Sequence, residues 1–585
     1  MPRRPPPTIS AWLHLTRLFL RQFLENDLVS PEADRAQLLA VVGAGVVSLT
    51  LFVSMFLSAP YSMSRLTPGQ AAILTLNDKF FYVALAMLVT ALVAAAQWDA
   101  LSLDYRDASI LDPLPVRPAT VRSAKLTAVA MLGAAVALAV NAFPTVVFPW
   151  MLSFSLRQMT AGDVFRLMAI HAMVTVTAAV FGYLAIMAFR ESISAILGPR
   201  LFYRVSPTLQ AATIVVLGSL LLLLPPAATR IGERGFSGWR AVLPPMSFVA
   251  LYEIASREFI VDLPRDGLNN RMLRRDPQPT ALYEQRRPMF APMAQRVEAL
   301  LGGAAGLLIV TTIINGFRAP IGGVLLATSG RRRSRIGERI AHALIVRQPT
   351  SRAGFHFAIA TMFRSKTHRL TLACAAAVGL AMALVVLSRI DLQPGQLTRS
   401  VLIIQPLLYG SLLVGFRHLV RVPAELRANW AVQLAWQDHR RAFTAGVRRA
   451  AVVALALPSV IAVVPVVAIA GGLPLAIAHA LLGLAGAAIV LEALLIRYDK
   501  APFTCSYVPG SGKGVVPLLV LAFLIGATVF ARIEMEILSG IRVFANLLFL
   551  LVVFAALRTA SRRQPEAPIN FDEGPEGFNQ LGLHT

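Results

Sequence analysis

The chain consists mainly of long, continuous apolar stretches, separated by shorter segments that carry most of the charge. About 20 apolar residues suffice for a helix to cross the hydrocarbon core of a bilayer, and such a helix satisfies all of its backbone polar groups internally. The stretches therefore predict an all-α transmembrane protein with about twelve spans. The predicted spans are Leu38–Ser58, Phe80–Trp98, Leu126–Trp150, Leu167–Phe189, Leu209–Leu224, Ala299–Ile314, Leu370–Leu387, Val401–Phe416, Ala451–Ile469, Leu473–Ile496, Val515–Val529 and Val543–Leu557.

A short amphipathic segment precedes the first span. Apolar side chains recur there at helical spacing and include Trp12, Phe19 and Phe23, whereas Arg17 and Arg21 fall on the opposite face. This pattern predicts a helix that lies in the membrane surface. A soluble amphipathic helix packed on another domain is the alternative.

The order of these elements predicts two similar halves. Each half runs from a surface helix through two spans and a long cytosolic loop to four further spans, and Phe355, Ile359, Met362 and Phe363 mark the second surface helix. The predicted domains are a cytosolic N-terminus with an interfacial helix (1–35), a first six-span half (36–316) that includes an external segment (227–298), a basic cytosolic linker with the second surface helix (317–369), a second six-span half (370–558) and an acidic, disordered cytosolic tail (559–585).

Composition agrees with a membrane location. Of the 585 residues, 56% are hydrophobic and 15% charged, and the formal net charge is +24. Because the basic residues cluster in loops between spans, they indicate orientation rather than nucleic-acid binding, and they place both termini in the cytosol of a bacterial inner membrane. The arginine-rich segment 227–298 conflicts with this rule, although long loops translocate largely regardless of charge. Cys374 and Cys505 predict neither a disulfide nor a metal pair.

The sequence lacks the residues typical of two sources of transport energy, proton coupling and ATP binding. No Asp or Glu falls in the middle of a predicted span, as a proton-driven carrier would require, and Glu298 and Glu492 lie near span ends. His171 and His479 are predicted to be packed residues that hydrogen-bond to neighbouring helices. The segment 509–514 lacks the first glycine of a phosphate-binding loop and ends in the wrong residue. If ATP drives this protein, a partner subunit must bind it, and this chain is not predicted to be an enzyme or to bind a cofactor.

A proline-rich segment follows the second predicted span. Pro113 and Pro115 flank Leu114, and Pro118 suits the first turn of a helix. The segment therefore predicts a rigid, cytosol-facing elbow. An element that does not bend can transmit a partner's movement to the spans.

This arrangement resembles the membrane subunits of type-two ABC exporters, in which a surface helix precedes the first span and a leucine-proline-hydrophobic-basic segment docks on the ATPase. The resemblance implies a separate ABC-type ATPase that binds ATP and magnesium. It assigns the coupling loop to Leu111, Pro113, Leu114, Pro115, Val116, Arg117, Arg122 and Lys125. The corresponding loop of the second half lacks the leucine-proline pair. It is either a degenerate second docking site for the ATPase or a purely structural loop. Its residues are Pro423, Glu425, Arg427, Asn429 and Trp430.

Alternatives remain open. Asp104, Asp107 and Asp112 could hold magnesium in a membrane-embedded enzyme, although Arg106 between them favours a surface ion-pair network. A twelve-span secondary transporter fits the number of spans but not the missing acids. Besides the ATPase and membrane lipid, a further periplasmic or membrane partner is left open, and the loop 502–510 has no assigned role.

Overall fold

A computed structural model gives the fold of the chain. It describes residues 8–24, 48, 50–61, 68–98, 113, 116–155, 160–229, 231, 238–260, 277–318, 346–390, 397–424, 440–496, 501–504, 515–538 and 542–563. This part of the chain is helical and contains no strand. Nine of its helices are long and apolar enough to cross a membrane. The chain is therefore an all-α protein with the helices of a multi-pass membrane protein.

The chain divides into two compact units. Unit 1 comprises residues 1–26, 33–213 and 220–330, and unit 2 comprises residues 27–32, 214–219 and 331–585. The helices of the first part are α1 (Thr8–Leu24), α2 (Thr50–Tyr61), α3 (Pro68–Ala96), α4 (Pro118–Ser155), α5 (Ala161–Pro199), α6 (Leu201–Ala228), α7 (Pro244–Ile260) and α8 (Pro277–Arg318). A 3-10 turn, Gly238–Val242, precedes α7.

A glycine followed by a proline ends α5. Gly198 has a φ of 71°, a left-handed conformation that glycine adopts without strain, and Pro199 removes a backbone donor at the same place. At the other end of α5, Thr160 and Asp163 form a reciprocal capping box. These local signals agree with the two separate spans predicted in this region.

The core of unit 1 is built around α3. This helix packs against α4, α7 and α8. Phe81 and Tyr82 of α3 are buried with Phe148 of α4 and Phe248 of α7. At Gly182 of α5, any larger side chain would overlap the backbone of α3, so the two helices meet at backbone distance.

Unit 2 contains the remaining helices. They are α9 (Pro349–Arg364), α10 (Lys366–Leu387), α11 (Arg399–Leu419), α12 (Arg440–Ala451), α13 (Leu457–Gly471), α14 (Leu473–Leu494), α15 (Val515–Ile537) and α16 (Arg542–Arg563). A π turn, Val452–Ala456, joins α12 to α13. The best-packed pairs are α9 with α12, α10 with α11, and α13 with α14.

Within the described ranges, each of the twelve predicted spans overlaps a helix, but the count of twelve is not confirmed. The nine long apolar helices correspond to the second through the tenth predicted span. The first and the last are represented by shorter apolar helices, Thr50–Tyr61 and Val543–Thr559. The predicted external segment 227–298 contains α7 and the beginning of α8.

Candidate functional site

The amphipathic helix α1 packs on the first turns of α4, directly after the predicted coupling loop. Phe19 is fully buried against Val121, Ala124 and Ala128, and Trp12 and Val116 pack at the edge of this cluster. The carbonyl of Arg117 accepts hydrogen bonds from the backbone N–H groups of Thr120 and Val121 and so begins α4. The amphipathic pattern thus places α1 at the base of a long apolar helix.

The structure brings together the predicted interfacial helix and the end of the predicted coupling loop. Arg17, Arg21 and Arg117 are exposed, and so is Pro113. Lys125 is buried, with its Nζ 5.2 Å from the centre of the Phe19 ring, so it belongs to the contact between α1 and α4. Arg122 and Phe23 lie in helices, but the structure does not describe their side chains. Leu111, Leu114 and Pro115 lie outside the described residues.

The same arrangement recurs in unit 2, where α9 packs on α12. A methyl group on Gly354 would overlap the carbonyl oxygen of Phe443, and one on Gly446 would overlap the carbonyl oxygen of Ser351. The two helices therefore cross at backbone contact. Of the predicted surface-helix residues, Phe355 and Met362 are buried, whereas Phe363 is half exposed. Both units thus place an amphipathic helix against the helix that follows a long loop.

The segment that begins the second loop is held by the loop after α14. The Ala424 N–H donates to the Phe503 carbonyl at 2.8 Å, and the Phe503 N–H donates to the Val420 carbonyl at 3.0 Å. Phe503 is fully buried at a φ of 64°, a strained conformation for a residue with a side chain. Its ring packs 5.8 Å from that of Phe357 in α9.

These contacts give residues 501–504 a structural role that sequence reasoning did not supply. Pro423, from the predicted second dock, is buried beside them. Glu425, Arg427, Asn429 and Trp430 lie outside the described residues.

A buried ionic network crosses three helices of unit 1. The Lys79 ammonium of α3 pairs with the Glu253 carboxylate of α7, and both side chains are almost completely buried. Lys79 also donates to Ser256 Oγ at 2.9 Å, and the Tyr283 hydroxyl of α8 donates to Glu253 Oε2 at 2.6 Å. One residue earlier on α3, the buried Asp78 accepts a 2.6 Å hydrogen bond from the Tyr61 hydroxyl.

Asp78 and Glu253 lie outside the predicted spans, so sequence reasoning did not identify this network. Hydropathy alone began the second span at Phe80, but α3 starts at Pro68 and carries Asp78 and Lys79 in its apolar segment. In unit 2, the buried Glu534 lies on α15, beyond the predicted limit of Val529. Glu253 lies in a helix that the prediction placed in an external segment.

The two isolated histidines behave as predicted. His171 Nδ1 lies 2.9 Å from the Tyr252 hydroxyl of α7, and His479 Nδ1 lies 2.6 Å from Glu534 Oε1 of α15. Each histidine is thus a buried side chain hydrogen-bonded to a neighbouring helix. The partner of His479 is an acid, which apolar periodicity did not reveal.

Asp104, Asp107 and Asp112, the candidate magnesium ligands, lie outside the described residues. Within the described ranges, no group of three or more His, Cys, Asp or Glu side chains could hold a metal ion. No family model, curated protein or solved structure matches the chain.

Proposed function

We propose that this chain is the membrane subunit of an ATP-driven exporter of the type-two ABC class. A separate ATPase binds ATP and magnesium and docks beneath residues 111–125. The contact between α1 and the first turns of α4 is the observation that carries this proposal. A docking loop can move a span only if its base is rigid, and the buried Phe19 and Lys125 join that base to the surface helix.

The repeat extends the proposal to the second half of the chain. Because α9 packs on α12 as α1 packs on α4, the segment 423–430 is a second candidate dock. In this proposal twelve spans form two six-span halves in a bacterial inner membrane, with both termini in the cytosol. One chain would then supply the whole transport pathway.

Co-purification tests the dock. The chain is co-expressed with the products of its neighbouring genes, and the recovery of any ATPase among them is compared between the Leu114→Ala/Arg117→Glu variant and the natural chain. The variant should insert into the membrane but lose the ATPase. Arg166→Glu is the matched control, because Arg166 is exposed near the start of α5. The start of α5 follows the end of α4 that is opposite the predicted coupling loop. Equal recovery of the ATPase with all three proteins would remove the docking proposal.

A proton-driven secondary transporter is the second candidate function. The buried network of Asp78, Lys79 and Glu253 favours it, because ionisable side chains among apolar helices are the usual means of ion coupling. Purified chain reconstituted alone in liposomes separates the two functions. Solute movement driven by a pH gradient without nucleotide would establish the second and exclude the first.

A further inference from the structure

A cavity of about 190 Å³ lies in unit 2, where the end of α12, the π turn, α14 and α16 meet. Apart from one acid, Glu492, its lining is basic and apolar. Basic side chains come from Arg448 and Arg449 at the end of α12 and from Arg558 on α16, and apolar side chains include Val453 and Phe554. Single turns of π geometry inside α-helices are frequent at functional sites.

The arginines exceed the acids of the cavity by two charges. The lining holds three arginines and one acid, Glu492. Arg448 Nη1 lies 3.2 Å from Glu492 Oε2, and this pair accounts for one positive charge. Arg449 contacts the neutral Ser351 hydroxyl at 3.4 Å, and the Arg558 guanidinium lies 5.6 Å from the centre of the Phe554 ring. Among the described residues, no carboxylate pairs with Arg449 or Arg558.

The surroundings of the cavity are apolar. One turn before the cavity residues of α16, Leu551 and Val552 are 49% and 58% exposed, and Leu481 on α14 is 50% exposed. An occupant that matches both features carries an anionic group for the arginines and an apolar chain for the helix surface. Free phosphate would satisfy only the first requirement.

We propose that this cavity binds an anionic phospholipid of the surrounding bilayer. Arg449 and Arg558 hold the phosphate, Arg448 remains paired with Glu492, and an acyl chain follows the apolar face of α16. Basic pockets between membrane helices bind anionic head groups in this way. Arginine suits the role because its planar guanidinium can donate two parallel hydrogen bonds to phosphate oxygens.

Native mass spectrometry and thermal unfolding of the purified full chain test the site. Detergent-solubilised protein is titrated with phosphatidylglycerol, phosphatidylcholine or inorganic phosphate. Phosphatidylglycerol should be retained and should raise the unfolding temperature, whereas the other two should do neither. Arg449→Gln and Arg558→Gln should each weaken phosphatidylglycerol binding about fivefold, as expected for about 1 kcal/mol per charge.

Two further variants make the result specific. Arg449→Lys keeps the charge but loses the paired guanidinium donors, so it should bind more tightly than Arg449→Gln and less tightly than the natural chain. This order would show that the loss in Arg449→Gln comes from the missing charge and not from a folding defect. Arg441→Gln is the matched control, because Arg441 is an exposed arginine of α12 outside the cavity lining. Equal retention of the two lipids, stabilisation by inorganic phosphate to the same extent, or unchanged binding by both Gln variants would overturn the proposal.

Discussion

Removing one partner of the buried Lys79–Glu253 pair should destabilise unit 1 strongly. Lys79→Met leaves the Glu253 carboxylate buried with the Tyr283 hydroxyl, and Glu253→Gln leaves the ammonium without its counter-charge. Both side chains are at most 2% exposed, so water cannot replace the lost partner. An unpaired buried charge of this kind costs about 3–5 kcal/mol.

The double variant Lys79→Met/Glu253→Gln removes both charges and keeps an acceptor for the Tyr283 hydroxyl. It should be more stable than either single variant, because buried ion pairs recover little more than their own desolvation cost. Unfolding in mixed micelles of increasing SDS content, followed by tryptophan fluorescence, measures the free energies. Trp98 is buried in unit 1 and is a suitable reporter. Lys366→Met changes an exposed lysine and should stay within about 0.5 kcal/mol of the natural chain. Additive losses in the double variant, or single losses below about 1 kcal/mol, would refute the reasoning.

Three further predictions concern the contact between α9 and α12, the buried Phe503 and the contact between α1 and α4. Gly446→Leu should cost about 1–3 kcal/mol in thermal unfolding because it drives α12 from the Ser351 carbonyl, whereas Gly302→Leu, which meets open space, should cost little. Phe503→Ala should cost about 3–5 kcal/mol in SDS unfolding, since its buried ring fills the contact between two loops and α9; a loss under about 1 kcal/mol would contradict this role. Phe19→Ala should preserve membrane insertion but reduce ATPase recovery in co-purification, and full recovery would show that α1 does not brace the dock.

The helices themselves were predictable from local pattern. The predicted span Leu126–Trp150 lies inside α4, and the predicted span Leu473–Ile496 nearly coincides with α14. The amphipathic segment around Phe19 predicted α1. These signals are local, because the lipid-facing length of a helix and the period of its apolar face are both properties of one segment.

The buried ionic network was not predictable by the same means. The predicted second span began at Phe80 and so excluded Asp78 and Lys79, because charged residues beside an apolar run usually mark the end of a span. The partner of Lys79 is 174 positions away, in a helix whose segment is rich in arginine. Phe248, Val249 and Tyr252 recur there at helical spacing, and this pattern was the available signal for α7.

Photo-crosslinking at position 119 tests the central claim most directly. A benzoylphenylalanine residue replaces Ala119, which is exposed in the first turn of α4 and is not one of the predicted docking residues, and cells are irradiated before the adducts are identified by mass spectrometry. The account predicts an adduct with a protein that contains a phosphate-binding loop, and no such adduct when the same group replaces Arg166. Failure to find an ATPase in the position-119 adduct would contradict the proposed coupling.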